Sequence, residues 1–203
     1  MKSVIPLLFF FIANIISAQN TGANCSGYWL KADFTGIQQA EANYRTAKKI
    51  IASGQAHDTV IAKAYNTMGI YLDFAGKQDL AIAQYEKSRI YLKKHPAYTV
   101  YTYINEVYAN ENLTNYSGAI LVGKTALALN KTYGTEVKKA LIYHAMASSC
   151  FRLSEMDTAV GYLTKGIAIL EKQKNNCYIW PIKLTLANTY IQTNNYRFAT
   201  DLF

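Results

Sequence analysis

His144 and Ser148 stand four residues apart, so a helix through this stretch would set an imidazole and a hydroxyl on one face. A base beside a hydroxyl is the beginning of a nucleophilic site. Such a site also needs a group that orients the base, and donors for an oxyanion. No acid follows in register and no oxyanion-forming loop is visible, so no catalytic residue is expected. His57 and His95 fall in connectors without companion ligands at zinc spacing, and neither a metal nor a cofactor is expected. Cys150 occupies an apolar position and reads as a buried filler. Cys25 and Cys177 fall in stretches that do not read as helical. An oxidising compartment would permit a bridge between them, and whether it forms stays open.

The elements that must position these side chains repeat. Tyr65, Met68, Gly69 and Leu72 are followed by a short turn at residues 75–78 and then by Ala81 and Tyr85. The same frame returns as Tyr101, Ile104, Asn105 and Tyr108 before Ala119, with two extra residues assigned to the turn between Asn110 and Tyr116. It returns again as Tyr143, Met146, Ala147 and Cys150 before Ala159, and as Lys183, Leu186, Ala187 and Tyr190 before Ala199. With Ala40 in front, the anchor alanines 40, 81, 119, 159 and 199 are spaced by 41, 38, 40 and 40 residues. Seven places after the first four anchors come Ala47, Ser88, Ala126 and Gly166. Small residues in register let paired helices approach toward the short end of the 8–10 Å range. A generic bundle would show apolar residues every three or four positions without a fixed long period.

This frame resembles the tetratricopeptide repeat, with its aromatic, Leu-Gly and Tyr positions in the first helix and Ala and an aromatic in the second. The family period is about 34 residues, whereas the spacing here is near 40, as in lengthened repeats of bacterial regulatory proteins and kinesin light chains. The resemblance implies an all-α fold: a right-handed superhelical array of antiparallel helix pairs, an α-solenoid. It covers residues 36–203, with a half repeat near 36–53, repeats near 59–95, 98–131 and 137–173, and an incomplete repeat near 180–203. Residues 19–35 are expected to cap the first end.

In that family the first helices line a concave face. The positions this implies are Lys63, Asn66, Ile70 and Asp73, then Thr99, Thr102, Glu106 and Ala109. Leu141, His144, Ser148 and Phe151 follow, then Pro181, Leu184, Asn188 and Ile191. From these the expected peptide-binding groove takes its polar members, Lys63, Asn66, Asp73, Glu106, His144, Ser148 and Asn188. Asparagines can pair with an extended backbone while apolar neighbours bury its side chains. The family's carboxylate-binding set of Lys, Asn and Arg is not reproduced, so a chaperone tail is not the expected partner.

Residues 1–18 have another character. Lys2 precedes an apolar run from Val4 to Ile16, and Ser17-Ala18 closes it, which is the layout of a cleaved signal peptide. The run is shorter than the ~20 residues that span a bilayer. Export to the periplasm or outside the cell is therefore expected, with no membrane attachment after cleavage. The chain carries 21 basic and 13 acidic residues, a net charge of +8. Lys48-Lys49, Lys93-Lys94, Lys172 and Lys174 lie near the ends of helical patterns, where cations suit the helix dipole, so nucleic acid is not an expected partner. An apolar content of 51% excludes a disordered or collagen-like chain.

At the far end Ile191, Phe198, Leu202 and Phe203 are expected to lack part of their cover, as in a shortened form of a longer protein or an end that self-associates. The functional expectation is an exported, non-catalytic scaffold that binds a protein or peptide. The alternative is the extracytoplasmic sensing part of a bacterial histidine kinase or helix-turn-helix regulator.

Overall fold

The computed structural model describes residues 29–31 and 34–202. Among them the chain is helical throughout, without strands: α1 (Ile37–Ser53), α2 (Asp58–Phe74), α3 (Gln78–Tyr91), α4 (Pro96–Asn112), α5 (Tyr116–Tyr133), α6 (Glu136–Arg152), α7 (Met156–Lys172), α8 (Asn176–Gln192) and α9 (Tyr196–Thr200). Each helix packs on the next, and α2, α4, α6 and α8 also touch one another in succession. The first helices of the pairs therefore form a continuous inner layer.

One turn is used five times, once within each of the four pairs and once between α7 and α8, at Gln173-Lys174-Asn175, where Lys174 has φ 51° and the Asn175 N–H returns to the Leu170 carbonyl at 2.9 Å. Ala75-Gly76-Lys77, Leu113-Thr114-Asn115, Leu153-Ser154-Glu155 and Thr193-Asn194-Asn195 each join the two helices of a pair. The middle residue is left-handed in every case, with φ of 74° at Gly76, 60° at Thr114, 63° at Ser154 and 60° at Asn194. The third residue's N–H returns to a carbonyl five residues back: Lys77 to Leu72 at 2.8 Å, Asn115 to Asn110 at 2.9 Å, Glu155 to Cys150 at 2.9 Å and Asn195 to Tyr190 at 2.8 Å. This closure satisfies a carbonyl that a helix end otherwise leaves unpaired.

Two expectations about element limits need correction. The extra residues assigned between Asn110 and Tyr116 are not in the turn. The helix α4 runs on to Asn112, and its turn has the common length. The helix α8 begins at Asn176, not near residue 180, because the Asn175 side chain accepts the Cys177 N–H at 3.1 Å and caps it. Pro181 consequently lies inside that helix, where it removes one backbone hydrogen bond. Cys177 is helical as well.

The anchor alanines share one environment. Ala40, Ala81, Ala119, Ala159 and Ala199 are each the fourth residue of their helix, and the first four are fully buried. The second set of small residues marks a tight crossing within each pair. Ser88 Oγ donates to the Ala62 carbonyl at 2.7 Å. At the equivalent crossing two pairs later, between α7 and α6, a Cβ added to Gly166 would lie 3.3 Å from the Ala140 carbonyl. Leu, Ile and Tyr fill the space between the pairs; Tyr85, Ile104, Ile142, Met146, Leu163 and Ile182 are all fully buried or nearly so.

Candidate functional site

The inner layer is occupied where α2 and α4 meet. Residues Trp29, Leu30 and Lys31 lie across these two helices, so the described part of the segment expected to cap the end contacts the inner face. Residues 1–28, which include the expected signal peptide and Cys25, lie outside the described residues, as do 32 and 33.

Side chains hold this segment by its backbone. The Trp29 carbonyl accepts from Asn66 Nδ2 at 2.6 Å and from Asn105 Nδ2 at 2.7 Å. Asn105 Oδ1 accepts the Lys31 N–H at 2.9 Å. The two amides are also bonded to each other, Asn105 Nδ2 to Asn66 Oδ1 at 3.0 Å, and both are fully buried. The indole of Trp29 stacks on Tyr98 at 5.0 Å and Tyr101 at 6.0 Å between ring centroids. Leu30, 2% exposed, joins the core with Val100, Ile104 and Val107. Lys31 Nζ pairs with Asp73 Oδ2 at 2.6 Å and sits 4.7 Å over the Phe74 ring. Asp73 also accepts from Asn112 Nδ2 at 2.7 Å. Beside the Lys31 end is a cleft of about 280 Å³ walled by Asp73, Phe74, Gly76, Gln78 and Asn112.

Glu106 does not join this face. It is buried against α3, where Arg89 Nη1 reaches its Oε2 at 2.6 Å, so it ties one helix pair to the next. The cause is the misassigned turn. With α4 extended through Asn112, the equivalents of Asn66, Ile70 and Asp73 become Ile104, Tyr108 and Glu111 rather than Thr102, Glu106 and Ala109. A two-residue shift turns a helix by about 200°, which carries the expected α4 face to its other side. Burial is the largest influence on the Glu106 carboxyl and raises its pKa, with Arg89 opposing.

Tyr108, Glu111, His144 and Ser148 form the next cluster along the layer. Ser148 Oγ donates to Glu111 Oε1 at 2.5 Å. His144 Nε2 lies 2.9 Å from Thr185 Oγ1, and its Nδ1 lies 3.4 Å from the Tyr108 hydroxyl. Thr185 already donates its proton to the Pro181 carbonyl at 2.9 Å, so His144 donates to it from Nε2. Desolvation favours the neutral imidazole and lowers its pKa to about 4. The histidine and serine thus have separate partners. Burial likewise raises the Glu111 carboxyl, opposed first by the Ser148 hydrogen bond.

Lys63 on α2 and Asn188 on α8 are half-buried. Cys150 is a free thiol in the core, and burial pushes its pKa up to about 11, which disfavours the reactive thiolate. Cys177 is disulfide-bonded. At the far end Ile191 and Phe198 are exposed, whereas Leu202 is half-buried against the last core cluster and Phe203 lies outside the described residues. Among the described residues no group of three or more potential metal ligands is present, and no helix is long and apolar enough to cross a membrane.

The sequence search missed Asn105, which it read only as a small packing position. It also missed the part played by Trp29 and Lys31. The signal available for Asn105 was polarity: an amide flanked by the apolar Ile104 and Val107 within a helix calls for a partner.

No family model, curated protein or solved structure matches this chain.

Proposed function

We propose that the chain is an exported, non-catalytic scaffold of the tetratricopeptide kind that binds a protein or peptide along its inner helical layer. The observation that carries this reading is the grip of Asn66 and Asn105 on the bent backbone of residues 29–31. Two side chains from successive first helices, α2 and α4, satisfy the carbonyl of residue 29 and the N–H of residue 31, while the flanking side chains enter an aromatic stack and an acidic corner. This is how a helical layer can hold a short bent segment by its backbone without offering a sheet edge. The alternation of small residues and the common turn support a superhelical array, and the apolar start of the sequence supports export.

The experiment is site-specific photo-crosslinking in the native secretory compartment. A photo-reactive residue replacing Asn188, on the inner layer, is expected to capture a discrete protein or peptide. The same residue replacing Leu121, exposed on α5, is expected to capture none. Equal capture from both positions, or none from Asn188, would defeat the reading.

A further inference from the structure

We infer that the cleft between α2 and α4 recognises a short bent segment in the order aromatic, aliphatic, basic; that Trp29-Leu30-Lys31 is its resident occupant; and that a partner protein carrying such a segment binds by displacing it. The inference rests on the proposal that the inner layer binds a protein or peptide, and it names that partner's chemistry.

The side-chain contacts select the order. The Trp29 indole stacks with each of two tyrosines, Tyr98 and Tyr101, a setting that receives a planar ring. Leu30 is inserted among aliphatic side chains. Two positions after the ring, Lys31 meets a fully buried carboxylate, Asp73, and its charge also acts on Glu111. A buried acid at this corner selects a cation on a chain that is otherwise basic, at net +8. An acidic residue at that place would meet like charge in a partly desolvated site.

The receiving groups keep partners when the segment leaves. Asn66 and Asn105 are bonded to each other. Asp73 keeps Asn112 at 2.7 Å and Gln78 at 3.4 Å. A site whose polar groups satisfy one another is preorganised, so vacating it does not strand a buried charge. The cleft of about 280 Å³ next to Lys31 gives an incoming chain room beside the resident one. Competition from a tethered segment is expressed as an effective concentration, on the order of millimolar for a short tether. It lowers a partner's apparent affinity by the fraction of sites that are open.

The test uses the full chain and a fluorescein-labelled peptide with the sequence of residues 27–32, GYWLKA, read by anisotropy. The double variant Trp29→Ala/Lys31→Ala weakens the resident segment, and it is expected to bind the probe at least tenfold more tightly than the wild type does. A probe with glutamate in place of its lysine is expected to lose that binding. Equal affinity of wild type and a cooperatively melting double variant, or no binding by that variant, overturns the inference. Should the double variant fail to fold, hydrogen exchange on the wild type decides. Millimolar probe is expected to speed exchange of the Lys31 amide at least tenfold, and unchanged exchange overturns the inference. Protection of that amide that grows with protein concentration in a dimer assigns the site to a second copy and likewise overturns it. The broader proposal is read separately: specific crosslinking from position 188 that persists when the probe fails leaves a binding scaffold without a displaceable occupant.

Discussion

Asn105 donates a hydrogen bond to Asn66 at 3.0 Å, and the same amide nitrogen lies 2.7 Å from the Trp29 carbonyl. Three parts of the chain, 37 and 76 residues apart in contact with Trp29, are joined through this fully buried pair. Replacing Asn105 with Ala would strand the Lys31 N–H and weaken the support of both Asn66 and Trp29. Each buried group left unpaired costs about 1–3 kcal/mol, so a loss of about 2–4 kcal/mol is expected in urea unfolding. The Asn66→Ala/Asn105→Ala double variant should lose less than the sum of its parts. Strict additivity would show that the two amides act independently.

Gly69 sits where the ring of Tyr85 crosses α2. A Cβ there would lie 2.4 Å from Tyr85 Cε1, and Tyr85 is fully buried. Gly69→Ala gains about 1 kcal/mol of helix propensity, but overpacking costs about 1–3 kcal/mol. The variant is expected to melt lower than the wild type. The Tyr85 hydroxyl itself is buried without a hydrogen-bond partner, so Tyr85→Phe should raise stability by about 1 kcal/mol. A lower melting temperature for Tyr85→Phe would mean that the hydroxyl has a partner.

The common turn is not equally comfortable in each pair. Gly76 takes its φ of 74° without penalty, whereas β-branched Thr114 is held at 60°. That conformation costs a non-glycine residue roughly 1–2 kcal/mol. Thr114→Gly should therefore stabilise the chain by about 0.5–1 kcal/mol, after the greater freedom of glycine in the unfolded state is deducted. Gly76→Thr should destabilise it. Chemical denaturation of the two variants checks the sign of both.

His144 should make stability depend on pH in a defined direction. Its folded pKa is lowered to about 4 by burial, below an ordinary value near 6.5. The unfolded chain then takes up the proton first, so the contribution of His144 is complete above about pH 6.5 and is lost as pH falls toward 4. The full effect is on the order of 3 kcal/mol. Glu106 and Glu111, whose pKa values are raised in the fold mainly by burial, act in the opposite sense over the acid range. The comparison is therefore wild type against His144→Gln, and the difference between their unfolding free energies should shrink from pH 7 to pH 4. A constant difference would show that His144 titrates normally.

Helical class, the period of about forty and the buried anchors were legible in the sequence because they depend on side-chain size. A residue such as Ala119 must be small whichever neighbour it meets, so its spacing alone reveals the contact. The terminal extent of α4 was not legible. The left-handed turn there is made by Thr114, which carries no glycine signal, and a two-residue error was enough to rotate Glu106 onto the wrong face. The Asn66 and Asp73 positions were readable as inner-face polar residues for the opposite reason, since Gly76 marks their turn plainly.

What composition and spacing determined by themselves was therefore an all-helical array of pairs and the approximate register of three of its first helices. Only tertiary structure decided what those helices face. The partners of Asn66, Asn105 and Asp73 come from residues 29–31, and the partner of Ser148 comes from Glu111 on the preceding first helix. Local periodicity reports which side of a helix is buried, but a hydrogen bond between distant segments depends on where the folded chain returns, and no spacing within one helix encodes that.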